Sequence, residues 1–376
     1  MRRAFDRLAV ALATLGPLWL AGGAAFVSGR GTDLSPALLL GLTLLPTLGG
    51  FSWLLVHRHP VTILAGAELL AALCFLASFT TLTGGTAPAT REYEFGLPPA
   101  RPPAGMSIHR VETGVINRTA SFAYRGGSFF ERRPFAMNAV LIRHPSFDLL
   151  IDTGLGERVA DHLEQMPLPF QWMTHVERRV SAGQALRAAG YDLSKLRAII
   201  LTHAHWDHVS GAVELAPIPV WLPQSEREFI RGGWITAVAR GLSPQRLHTY
   251  AFTDGPYLHF ERSYDVFGDG SVVLVPAKGH TPGSIIIFVA LPNGRRLAFI
   301  GDLAWQLEGV LLRRERPLLT RLGDLDPQRV RSGLSQLAAM HARYPQFELV
   351  PAHDPRPYKH IPALLPGLTI GHQALQ

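Results

Sequence analysis

Apolar residues crowd the first 85 or so positions of this chain, and short alternating runs take over after them. Three stretches, residues 8–28, 37–56 and 61–82, carry almost no polar stripe. A helix packed in a soluble core would keep one polar side. Each stretch is about long enough to cross a hydrocarbon layer of roughly 30 Å at about 1.5 Å per residue. The pattern therefore predicts about three transmembrane helices within residues 1–83. Gly16-Pro17 and Pro46 would break a soluble helix, but membrane helices tolerate them where neighbours re-satisfy the backbone. Arg2, Arg3, Arg7 and Arg58 fall on one side of these runs, and Arg30, Arg91 and Arg101 on the other. That bias sets the N-terminus inside, giving a multi-pass membrane protein whose following domain is extracytoplasmic. A signal peptide cleaved near Ala24-Ala25 would deliver the domain to the same side. Glu68, within the third run, is a candidate functional carboxylate by its place alone. Pairing with Arg58 or burial against the other helices accounts for it more simply. Cys74 reads as a small apolar filler.

Residues 84–107 are rich in Gly, Pro, Ala and Thr and read as an extended linker. From 108 to 376 the periodicity is that of an α/β domain. Residues 138–143 and 148–151 read as paired strands, and 182–189 as a helix ended by Gly190. Residues 197–201 form a short buried strand. Residues 272–275, 284–291 and 296–300 are further strands, with Pro292-Asn293-Gly294 as a hairpin turn. Residues 327–343 predict a helix and 347–350 a last strand. Asn117-Arg118-Thr119 fits a glycosylation acceptor, a pattern short enough to arise by chance.

Composition changes this picture little. The formal net charge is +7, but only three of the 36 basic residues are lysine. No dense basic run with interleaved aromatics is present, so no nucleic-acid partner is expected. The single cysteine excludes a disulfide framework and a cysteine-built metal site. Oligomeric state is not legible.

The chemistry is concentrated in Thr202-His203-Ala204-His205-Trp206-Asp207-His208, fed by the strand that ends at Leu201. Histidines at i and i+2 of an extended segment project to one side, so both can reach one metal. Asp207 and His208 come next on the turn and can reach a second. Imidazole and carboxylate suit zinc, and they also suit iron, manganese or nickel. Four ligand-type residues within six positions speak against a chance cluster of exposed histidines.

This His-x-His-x-Asp-His run resembles the signature of the metallo-β-lactamase fold. The resemblance continues through Asp148-Leu149-Leu150-Ile151-Asp152-Thr153-Gly154, Lys278-Gly279-His280-Thr281-Pro282-Gly283-Ser284, Ile300-Gly301-Asp302 and Val350-Pro351-Ala352-His353-Asp354, in that family's order. It implies an αββα sandwich with the site at one edge of its two sheets. It also implies that His203, His205 and His280 hold one divalent metal, zinc being expected, and that Asp207, His208 and His353 hold a second. Asp302 would bridge the two. Asp152 is expected to orient a liganding histidine, as carboxylates commonly do.

The resemblance implies a metal-dependent hydrolase. Two metals about 3.5–4 Å apart share a water and lower its pKa, and the hydroxide so formed attacks a carbonyl carbon or a phosphoryl phosphorus. Asp207 would accept and return the proton. The motifs look most like the lactonase branch, so the expected substrate is a small lactone, another ester or a lipid-like molecule. Lactonases of that branch often carry a tyrosine three residues after the bridging aspartate. Here Trp305 stands there, a candidate substrate contact whose indole donates a hydrogen bond but cannot cycle a proton. Thioesterases of the glyoxalase II type, phosphodiesterases and phospholipases stay open, as does a non-catalytic metal-binding sensor. The commonest β-lactam hydrolases use a cysteine at the second metal, which this chain lacks. Flavodiiron-type oxidoreductases place a glutamate where this chain has His205.

Overall fold

In the strand Arg132–Arg143, Val140 and Ile142 face one way and Ala139 and Leu141 the other, and both sets are buried. Such a strand must be covered on both faces. The computed structural model describes residues 96–365, apart from positions 129 and 322, together with 373–374. The three apolar runs, Glu68 and Cys74 lie outside the described residues. Among the described residues no helix is long and apolar enough to cross a membrane.

Thirteen strands of the described residues form two mixed sheets. They are β1 (Ser107–Thr119), β2 (Arg132–Arg143), β3 (Asp148–Ile151), β4 (Glu177–Arg178), β5 (Leu196–Ile200), β6 (Val220–Pro223), β7 (Leu247–Tyr250), β8 (Tyr264–Asp265), β9 (Val272–Pro276), β10 (Ile285–Ala290), β11 (Arg296–Gly301), β12 (Phe347–Pro351) and β13 (Gln373–Ala374). The larger sheet runs β13-β4-β1-β2-β3-β5-β6-β7 and the smaller β12-β11-β10-β9-β8. From β3 through β7 the larger sheet is parallel, and β11 pairs parallel with β12 in the smaller.

Period two sorts the apolar side chains into three layers of core. Val140, Ile142, Leu149 and Ile200 of one sheet meet Leu274, Ile287, Val289 and Phe299 of the other. On the outer face of the large sheet, Leu141, Leu150 and Ile199 pack under Ala182, Leu186 and Val209. On the outer face of the small sheet, Val275, Ile286 and Phe288 pack under Val330, Leu334, Leu337 and Met340. Those four residues lie at helical spacing on the helix Pro327–Arg343, which Asp326 caps by accepting from the Arg329 N–H. The helix Ala182–Ala188 begins with a capping box of Ser181 and Gln184. It ends before Gly190, whose φ of +63° suits glycine. The result is an αββα sandwich.

β3 and the helix Pro327–Arg343 stand at the residues where the pattern places them. β2 starts at Arg132, six residues before the pattern turns cleanly apolar. β1 was not legible: Arg110, Glu112, Asn117 and Arg118 break its alternation. Its register comes from pairing with β2 from Ser107↔Arg143 to Thr119↔Arg132. The later part of the expected linker lies against the domain. Leu97 packs on the helix-side core of the small sheet, the Arg101 N–H donates to Asp269 O (2.7 Å), and Arg296 donates to Pro98 O (3.0 Å).

Candidate metal centre

The C-terminal ends of β3, β5, β11 and β12 and the loop after β9 meet at one edge shared by both sheets. Each delivers one piece of the site: Asp152, the segment 202–208, Asp302, His353 and His280. β11 ends in Gly301, whose φ is +52° and whose added Cβ would lie 3.0 Å from Thr202 Cβ. Glycine there lets the chain turn tightly enough to aim Asp302 between the two groups of histidines.

The seven expected side chains converge in two sets. His203, His205, His280 and Asp302 are buried and offer ligand atoms within 4.8 Å of one another; the ligand atoms of half-buried Asp207 and buried His208 and His353 lie equally close together. His280 Nε2 lies 2.9 Å from His205 Nδ1 and 3.4 Å from Asp302 Oδ2. On the other side Asp302 Oδ1 lies 3.1 Å from His353 Nε2 and 3.4 Å from His208 Nε2. His353 Nε2 is also 3.6 Å from Asp207 Oδ2. Asp302 is thus the residue common to both sets.

Whether these residues suit a cation is tested by their unsatisfied atoms. His203 Nε2, His208 Nε2 and Asp302 Oδ1 are buried and make no hydrogen bond. A buried polar atom left alone costs on the order of 1–3 kcal/mol, and three at one point call for a shared partner. All are lone-pair donors, so the partner they fit is a metal cation.

The electrostatics agree. Burial, then the neighbouring His208 and His205, hold His203 well below the ordinary imidazole range. Burial and His280 do the same to His205. Neutral imidazole is the ligating form. Burial works against the charge on Asp302 too, but His353 and His208 outweigh it and hold the carboxyl well below the usual range. His208 goes the other way: burial opposes its proton, yet Asp152 and Asp302 raise it well above the usual value.

Asp152 sits where the sequence placed it and does more than orient. Its Oδ2 accepts from His208 Nδ1 (2.8 Å) and from the Thr202 hydroxyl (2.8 Å), and its Oδ1 accepts from the Thr202 N–H (2.7 Å). It thereby fixes His208 and the start of the histidine segment together. It does so from a φ of +49°, a region disfavoured for a side-chain-bearing residue. Asp152→Asn keeps the shape and removes the charge that orients His208. Metal affinity should fall about 10–100-fold, read by competition with a chromophoric chelator. Unchanged affinity would leave Asp152 a turn residue.

Trp305 Nε1–H donates to Asp302 Oδ2 (2.7 Å). Its ring stacks on Phe122 (5.4 Å) and carries the Arg316 guanidinium 4.8 Å from its centroid. Its one donor is spent on Asp302, so this tryptophan positions the central carboxylate.

Other residues of the site were not visible in the sequence. Asp324, fully enclosed, accepts from His280 Nδ1 (2.8 Å) and is paired with Arg316, which also donates to the Asp302 carbonyl (2.6 Å). Burial would lift the Asp324 pKa, but Arg316 and His280 outweigh it and hold the carboxylate ionised. Ala136 O takes the Nδ1 proton of His353 (3.0 Å). Glu226 accepts from the Ala204 N–H (2.7 Å), the Gly283 N–H (2.9 Å) and the Thr281 hydroxyl (2.7 Å), joining the loop of His203 and His205 to the loop of His280.

Back-to-back mixed sheets with a buried histidine–aspartate cluster at their common edge define the class: a metal-dependent hydrolase of αββα architecture. Residues 132–361 match the Metallo-beta-lactamase superfamily, and the chain belongs to it. It is 32% identical over 182 residues to the N-acyl homoserine lactonase AttM of Rhizobium radiobacter, covering 45% of this chain and 65% of that one. It is 29% identical over 237 residues to the probable metallo-hydrolase Rv2300c of Mycobacterium tuberculosis, covering 56% of this chain and 72% of that one. The match to the lactonase therefore spans just under two thirds of that relative's length. A solved N-acyl homoserine lactone hydrolase, with the product N-hexanoyl-L-homoserine bound at its catalytic metal center, superposes with a TM-score of 0.54. That alignment has 16% identity and covers 68% of this chain and 96% of that one. It establishes a shared fold.

Proposed function

We propose that this protein is a membrane-anchored hydrolase of a lactone or other ester-type bond, working with two divalent cations, zinc by the donor set. His203, His205 and His280 would hold one cation and Asp207, His208 and His353 the other, with Asp302 between them. The observation that carries this reading is the trio of buried, unpartnered ligand atoms on His203, His208 and Asp302. When bound, the cations supply a water of lowered pKa and a Lewis acid for the carbonyl.

The chain's own residues do the rest. Asp152 and Asp324 hold the outer nitrogens of His208 and His280, so the inner ones stay aimed at the centre. Asp207, the least buried of the seven, has the exposure to take a proton from the attacking water and return it to the leaving oxygen. Trp305 and Arg316 fix Asp302 from behind. The lactonase relatives support the ester-type substrate. The three apolar runs support anchoring, and the arginine bias supports an extracytoplasmic domain.

Full-length protein, loaded with zinc and offered lactone, thioester and phosphodiester substrates, should turn over the lactones best. A chelator should abolish turnover and added divalent metal restore it. A metal-loaded, folded sample that hydrolyses none of the three would overturn the reading.

A further inference from the structure

We propose that the helix Leu168–Met173 and the loop bearing Trp234 seat this domain on a lipid surface with its metal-site end down. Leu168 (59%), Trp172 (71%), Met173 (57%) and Trp234 (41%) are large apolar side chains exposed together around this helix. A soluble protein rarely leaves such a group uncovered without a partner for it.

The helix is tied to both walls of the site. On one side Phe170 packs against Trp234 (5.0 Å) and against Trp206 (6.0 Å), which lies between His205 and Asp207. On the other side the Met173 carbonyl accepts from Arg118, whose guanidinium lies 5.2 Å from the Phe122 ring centroid. Phe122 in turn stacks on Trp305, the donor to Asp302. The exposed face therefore belongs to a helix held against elements on both sides of the site.

The chemistry of the patch favours lipid. Tryptophan is enriched where water meets headgroups. Arg118, Arg231 and Arg240 flank the apolar face: Arg118 touches Met173, Arg231 is three residues from Trp234, and Arg240 donates to Gly233 O (3.0 Å). Apolar side chains ringed by cations bind anionic bilayers. This step rests on the anchoring reading above, because the lipid is supplied by the chain's own apolar runs.

The tether permits the posture. Gly96–Arg101 enter the domain at the end away from the metals, beside Asp269 and Arg296. The thirteen residues 83–95 that join this point to the third apolar run can reach at most about 45 Å. β1 also has 13 residues and runs from that far end, at Ser107, to the metal-site end, at Thr119. The tether therefore has the reach to return along the height of the domain.

The test uses the full chain in vesicles of phosphatidylcholine and phosphatidylglycerol. Cys74→Ser removes the native thiol, and Trp172→Cys takes an NBD fluorophore in place of the exposed indole. Asn293→Cys, on the exposed β10–β11 turn at the far end, takes the same label as control. The label at 172 should shift to the blue and be quenched by nitroxide-bearing lipid, and the label at 293 should do neither. A water-like spectrum at 172, or quenching at 293 instead, would overturn the proposal. So would a blue shift at 172 without lipid quenching, which would mean that residues 1–83 or a second copy covers the face. Carbonate extraction of the same vesicles tests the anchoring separately. A chain washed off by carbonate refutes the anchor, whatever the label at 172 reports.

Discussion

Asp302→Ala should lower kcat/KM by about 1,000-fold or more, because a residue shared by both cation positions contributes several kcal/mol and each 1.36 kcal/mol is a decade in rate. Asp302 approaches His280, His208 and His353, each within 3.4 Å. Its loss would leave two half-sites with no common anion to offset the charge between them. Metal content should fall together with activity, and the substitution Asp302→Asn, which keeps the shape but not the charge, should be almost as damaging. The measurement is a paired one, steady-state kinetics and metal analysis on the same preparation. Retained turnover in Asp302→Ala would remove Asp302 from the chemistry.

Glu226→Ala should have the largest effect on stability. Glu226 is fully buried and its carboxylate serves two backbone N–H groups and one hydroxyl. The substitution leaves two enclosed N–H donors without an acceptor and takes one of two partners from the Thr281 hydroxyl, whose other is Ser284 Oγ (2.7 Å), at up to about 1–3 kcal/mol for each donor affected. A loss of roughly 4 kcal/mol should lower the melting temperature by on the order of 10 °C in a domain of this size. Burial raises the Glu226 pKa despite its three donors, so part of their stabilisation is already offset by the cost of enclosing the charge. That is why the expected loss stays below the sum of three full penalties. A thermal melt of the full chain reads it, and a shift of only a degree or two would show that the two loops hold each other by other means.

Glu226 also marks the limit of what the sequence disclosed. His203, His205, Asp207 and His208 were legible because four ligand-type residues fall within six positions after a strand. His280, Asp302 and His353 were legible only through their order behind further strands. Glu226 and Asp324 sit on no strand end and belong to no local pattern. They meet the histidines only because helix and loop are folded back over the edge, 22 residues from Ala204 in one case and 44 from His280 in the other. β1 was missed for a similar reason: polar side chains recur along it, and its partner β2 supplies the register that its own pattern does not. The two faces of β2, β9 and β10 were legible because burial on both sides leaves an unbroken apolar run.

Trp305 was legible by its place in the sequence, and the structure adds the neighbours its side chain has in the fold. Its place three residues after Asp302 suggested a contact to substrate. A donor that close in sequence reaches the carboxylate first, and Arg316 and Phe122 close the ring in from either side.

The cluster also stitches the sandwich shut. Its candidate ligands come from the ends of strands in both sheets, and the segment between His203 and His353 includes all five strands of the smaller sheet and its covering helix. The cation that His208 and His353 would share would act as a rivet between the layers, and any species that binds only the folded form shifts unfolding by mass action. Bound metal would therefore stabilise the fold as well as supply the chemistry.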